Sequence, residues 1–197
     1  AVARVATVLR PDAAGIARAA ALLRSGGLVA FPTETVYGLG ADATRESAVL
    51  RIFEAKGRPL TDPLIVHVPS VERALELVEL DDGGRAAFEA LAAAFWPGPL
   101  TLVSRAAAVI PDKVTAGTGF VGIRMPNHAL ALRLLREAGV PVAAPSANRF
   151  GHVSPTRAAH VLADLGGCDI AVLDADDGRV LPEEGGGGDG GDGGDGG

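Results

Sequence analysis

Apolar positions along this chain fall into two rhythms. Short runs at 28–31, 64–68, 100–104, 120–125, 140–144 and 170–173 are bounded by glycine, proline or polar residues and predict buried strands. Between them, apolar residues recur at helical spacing. Ile16, Ala19, Ala20 and Leu23 follow Asp12 and end at Ser25-Gly26-Gly27; Val49, Leu50, Ile52 and Phe53 form a second stripe. Further helices are predicted at 71–80, 85–95, 130–138 and 156–165, while 111–119 reads as a loop. Strands alternating with helices predict an α/β domain, a twisted mixed sheet with flanking helices.

One stretch, 31–68, concentrates the polar chemistry. Thr33, Thr35 and Tyr37 leave the first strand at every second position, so an extended backbone would turn three hydroxyls to one face. The helix after them stops at Lys56-Gly57-Arg58-Pro59. Gly57 can take the left-handed stop conformation there, and Pro59 bars continuation. Two cations on a rigid turn suit an anion such as phosphate. Cations at a helix C-terminus also serve as simple caps, and threonines leaving a strand satisfy turns. His67, inside an apolar strand, reads by itself as a hydrogen-bonded core histidine. Pro145-Ser146-Ala147-Asn148 reads by itself as a turn.

Charge and cysteine content narrow the classes. The formal charge is −6, but Asp176 onward carries seven acidic residues and one basic, so the preceding segment is neutral. Global charge therefore neither demands nor excludes nucleic acid. The single cysteine, Cys168, excludes an intrachain disulfide and a cysteine metal cluster. No apolar run reaches membrane-spanning length. The lone cysteine fits a reducing compartment and the expected location is cytoplasmic, with an organellar destination left open because the chain starts at Ala1 rather than Met. The glycine–aspartate segment 185–197 has nothing to bury and predicts disorder.

Several separate motifs stand in one order: FPTETVYGLGADAT, EAKGRP, DPLIVHV, GPLTLV, VGIRMPNH and PSANRFGHVSPT. Together they resemble the YrdC-like family, which includes threonylcarbamoyl-adenylate synthases. The resemblance implies a single YrdC-like domain over 11–175, followed by an acidic Gly/Asp-rich tail over 176–197. It implies ATP, L-threonine and bicarbonate as substrates, with Mg2+ accompanying ATP and no protein-held metal. Threonylcarbamoyl-AMP and pyrophosphate would be the products, and a downstream tRNA threonylcarbamoyl transferase the consumer. Lys56, Arg58, Ser146 and Asn148 match the family's Lys-x-Arg and Ser-x-Asn tetrad. By the same resemblance, Arg58, Asp62, Thr118, Ser146 and Ser154 lie on the ATP side. Thr35, His67, Arg124 and the backbone at Ala144 lie on the threonine side.

Two alternatives accompany that reading. One is a noncatalytic module of the same fold binding double-stranded RNA or tRNA; the other is a carbamoyl-transfer relative. No Gly-x-Ser-x-Gly elbow, Walker loop or dinucleotide fingerprint is present. Family members continue after the last strand through Gly-x-Glu-Ser-Thr-Val and Arg-Pro-Gly segments, where this chain reads DADDGRVLPEEGGGG. The expectation is a C-terminally incomplete domain lacking two ligand-contacting elements.

Overall fold

The computed structural model describes residues 5–176. Nine strands form one mixed sheet in the order β1-β9-β2-β3-β8-β4-β7-β6-β5. They are β1 (Thr7–Leu9), β2 (Val29–Phe31), β3 (Gly38–Asp42), β4 (Ile65–His67), β5 (Val78–Glu79), β6 (Leu102–Ala106), β7 (Phe120–Arg124), β8 (Val142–Ala143) and β9 (Ala171–Leu173). The helices are α1 (Ala13–Arg24), α2 (Glu46–Lys56), α3 (Val71–Leu75), α4 (Asp82–Phe95), α5 (Asp112–Thr115), α6 (Ala129–Ala138) and α7 (Ala158–Leu165). The acidic tail predicted to be disordered lies, but for Asp176, outside the described residues.

Alternation along the strands divides the core in two. Val29, Phe31, Val142 and Leu173 face α1 and α6, while Ala30, Leu39, Ala41 and Val66 face the cluster built with α2 and α7. The α1 stripe Ile16, Ala19, Ala20 and Leu23 and the α6 stripe Leu130, Ala131, Leu134 and Leu135 are fully buried together. Both helices thus stand where their periodicity put them.

Elsewhere the structure departs from the pattern. The hydroxyl-bearing stretch is not extended. Thr33 closes a turn on itself, its Oγ1 donating to the Val36 carbonyl at 2.7 Å and accepting from the Thr35 and Val36 amides at 3.3 Å. Tyr37 donates to Asp176 Oδ1 at 3.3 Å, and Thr33, Thr35 and Tyr37 still line one cavity despite the turn. The helix expected over 71–80 stops at Leu75, because Val78 and Glu79 pair with Ala106 and Arg105 on β6. Helix α4 begins earlier than expected and takes in Gly83 and Gly84, since Asp81 caps it through the Gly84 amide at 2.7 Å. The expected 111–119 loop contains the short helix α5.

Strand β3 is absent from the hydrophobic pattern because its sequence, GLGAD, carries two glycines. Sterics explain Gly40. A Cβ there would stand 2.7 Å from Val142 Cγ1 and 2.8 Å from Phe31 Cε1. Gly40→Ala should therefore destabilise the fold by about 2 kcal/mol through overpacking, read as a lowered melting temperature. An unchanged midpoint would mean that Phe31 and Val142 move aside freely.

Candidate functional site

Helix α2 ends as its sequence dictates. Gly57 adopts φ 62°, its amide reaching the Glu54 carbonyl and that of Arg58 reaching Phe53 at 3.1 Å. This Schellman stop fixes both flanking cations. They do different work. Lys56 is buried, 3% exposed, and its Nζ donates to the carbonyls of Ser146 and, at 2.5 Å, Asn148. The Phe150 amide bonds back to the Lys56 carbonyl at 2.8 Å. An ammonium has three donors, so one remains for a ligand. Burial, and then the Arg58 charge, depress the Lys56 pKa to about 8. Arg58 donates to the Pro63 carbonyl at 3.2 Å and lies 3.6 Å from Asp62, while its buried Nε has no hydrogen-bond partner among the described residues.

Lys56 thus ties the Lys-Gly-Arg turn to the Pro-Ser-Ala-Asn turn, some ninety positions away in the chain. That second turn runs antiparallel to the chain at Tyr37–Leu39. Ser146 bridges Gly38, the Ala147 amide donates to the Tyr37 carbonyl at 2.8 Å, and the Leu39 amide donates to Pro145. Asn148 spends its amide nitrogen on the Arg149 and His152 carbonyls at 2.8 and 2.9 Å. Its Oδ1 is buried with no partner among the described residues, an acceptor held ready for a donor. Ser154 lines a cavity of about 540 Å³ with His152, His160 and Asp164. Thr118 turns into its own loop, donating to the Thr115 carbonyl at 2.8 Å and accepting from the Phe120 amide.

The remaining candidates gather around Arg124. Parallel pairing of β4 and β7 sets Arg124 opposite His67. Arg124 Nη2 donates to Thr35 Oγ1 at 3.1 Å and lies 2.7 Å from Glu34 Oε1. His67 is 4% exposed, edge-on to Phe31, and its Nδ1 has no partner among the described residues. Burial, reinforced by the Arg124 charge, pushes His67 down to about 4, so it is neutral at pH 7. The Ala144 amide is already bonded to the Ile65 carbonyl at 2.9 Å.

Two residues here escaped the sequence reading. Glu34 sits between the threonines, and an extended strand would have sent it to the opposite face; only the Thr33 turn delivers it to Arg124. Burial raises its pKa, but Arg124 and backbone donors more than offset this and hold it below the ordinary carboxylate value. His128, the N-cap residue of α6, makes no side-chain cap. It lines a cavity of about 230 Å³ with Thr35, Tyr37 and Arg157. Burial lowers its pKa, and the Glu34 charge opposes the shift.

The arrangement offers two cations with an acceptor amide on one side, and on the other a guanidinium paired with Glu34 beside a neutral imidazole. A family model for the Sua5, YciO and YrdC proteins, described as telomere recombination, matches residues 21–183. The chain belongs to this Sua5/YciO/YrdC family. A threonylcarbamoyl-AMP synthase of Pyrococcus abyssi is 51% identical over 82% of this chain and 47% of its own length. One from Bacillus subtilis is 52% identical over 81% of this chain and 45% of its own length. The crystal structure of P. abyssi Sua5 complexed with L-threonine superposes with a TM-score of 0.79 at 47% identity. It covers 86% of this chain and 50% of that one. The chain spans about half the length of these curated relatives. Among the described residues, no helix is long and apolar enough to cross a membrane.

Proposed function

We propose that this Sua5/YciO/YrdC chain makes threonylcarbamoyl-AMP and pyrophosphate from L-threonine, bicarbonate and ATP. The observation that carries the reading is the join of Lys56 to the Ser146 and Asn148 carbonyls, which holds the Lys-Gly-Arg turn against the turn whose Asn148 Oδ1 has no partner among the described residues. The threonine amine, deprotonated, combines with bicarbonate to a carbamate with loss of water. A carbamate oxygen attacks the α-phosphorus of ATP, and the P–O bond to pyrophosphate breaks. No protein nucleophile takes part, so catalysis is positioning and charge neutralisation. Arg58 supplies a planar fork to phosphate oxygens and Lys56 a point charge. Ser146, Asp62, Thr118 and Ser154 complete the ATP side in this reading. Arg124 receives the amino-acid carboxylate, with Thr35, His67 and the backbone around Ala144 closing the threonine side.

Magnesium enters as the ATP complex. Among the described residues no cluster of three or more His, Cys, Asp or Glu side chains could cage an ion. Magnesium held through substrate phosphates needs none. The product would pass to a transferase that modifies tRNA.

Pyrophosphate release from ATP and magnesium, with threonine and bicarbonate omitted in turn, tests the proposal. Release requiring both is expected; release indifferent to either overturns it. The pH dependence gives a second check. Lys56 in the free protein loses its proton near pH 8, so kcat/KM for ATP should fall as pH rises through about 8. Stability should move the other way. Between about 8 and the ordinary lysine value of 10.5, the unfolded chain keeps a proton the folded one has released, so Lys56 makes unfolding harder as pH rises there. A kcat/KM flat through pH 9 would remove Lys56 from the phosphate site.

A further inference from the structure

Asp164 stands in the last turn of α7, where a carboxylate opposes the helix dipole. Its own helix gives no reason for it. The loop that follows Asn148 does. Asp164 Oδ2 accepts the Arg149 amide at 3.1 Å, and both carboxylate oxygens lie 3.1 Å from His152 Nδ1. Arg149 then reaches round the helix end, its Nε donating to the Asp164 carbonyl at 3.0 Å. That carbonyl is one of the four that a helix C-terminus leaves unpaired.

The loop so held is the one that sets Asn148. The Asn148 amide nitrogen bonds the carbonyls of Arg149 and His152, the two residues whose other polar groups Asp164 engages. The orientation that leaves Asn148 Oδ1 free is therefore fixed at both ends of a four-residue span by one carboxylate. Lys56 joins the same assembly through the Ser146 and Asn148 carbonyls.

We infer that Asp164 is a positioning residue for the nucleotide side of the site, bracing the loop from Asn148 to His152 so that Asn148 and Lys56 keep their ligand-facing geometry. This rests on the ATP reading proposed above. The His152 pair is half exposed, and such pairs contribute little energy by themselves. The brace acts through geometry: the Arg149 amide, the Arg149 Nε and His152 Nδ1 converge on one residue, beside the Phe150 amide that ties the same loop to the Lys56 carbonyl.

Two measurements on the full chain test it. Hydrogen exchange needs no ligand. In Asp164→Ala the amides of 149–152 should exchange about tenfold faster while those of α1 and α6 stay unchanged. Equilibrium binding of Mg-ATP and of L-threonine supplies the functional arm. Asp164→Ala should weaken Mg-ATP about tenfold and leave threonine within twofold, and Asp164→Asn, which keeps an acceptor for the Arg149 amide, should recover part of the loss. Unchanged exchange at 149–152 overturns the brace. Parallel losses of both ligands, with no recovery by Asn, would make Asp164 a general structural residue and overturn the inference as well. Were the unaltered chain to bind no ATP at all, the failure would lie with the proposed function, and the exchange result would still decide the brace.

Discussion

Arg58→Ala should lower kcat/KM for ATP by about two to three orders of magnitude, the scale of losing one preorganised charge donor at a phosphoryl centre. Folding should survive. Arg58 holds only the Pro63 carbonyl and, at 3.6 Å, a partly exposed Asp62, contacts together worth about 1 kcal/mol or less. Its buried Nε, without a partner among the described residues, shows that they do not consume the whole guanidinium. Arg58→Lys should recover only part of the activity, because a point charge cannot reproduce a fork. The substitution also removes a charge that depresses Lys56, so the alkaline limb of the residual Ala activity should move to higher pH. Normal turnover by the Ala variant would end the assignment of a phosphate clamp.

Arg124→Ala should have the largest effect on stability. Glu34 is 19% exposed and Arg124 11%, with 2.7 Å between them. Removing the cation strands a largely buried carboxylate, at a cost of about 3 kcal/mol, the low end for such a pair because some exposure remains. Melting should fall by roughly 10 °C. The Glu34 pKa, with burial then opposed only by its backbone donors and no longer by the guanidinium, should rise, so the variant should lose less stability on acidification from neutral pH. Adding Glu34→Gln should restore much of the melting temperature, since the double variant buries no unpaired charge. It should not restore threonine affinity, expected to be about a hundredfold weaker without the guanidinium. Unaltered threonine binding by the stable double variant would show that Arg124 does not meet the amino-acid carboxylate, whatever its part in the fold.

The sequence by itself determined the helical stripes of α1, α2 and α6, most of the strands and the Gly57 stop. Each depends on interactions among near neighbours: periodic burial, a left-handed glycine, a proline that cannot continue a helix. The order of motifs likewise carried the family and the candidate residues on both sides of the site. Tertiary structure alone decided the rest. Strand β3 exists because Phe31 and Val142 close on Gly40, and β5 because β6 offers Val78 and Glu79 a partner. Glu34 meets Arg124 only because Thr33 closes a turn that an alternating pattern cannot announce. Lys56 spends two of its three donors on carbonyls about ninety positions away, and Asp164 reaches back to Arg149 and His152. Local spacing records what one segment prefers. It does not record which distant backbone a buried ammonium or carboxylate will find, because that partner is set by how the strands order themselves in the sheet.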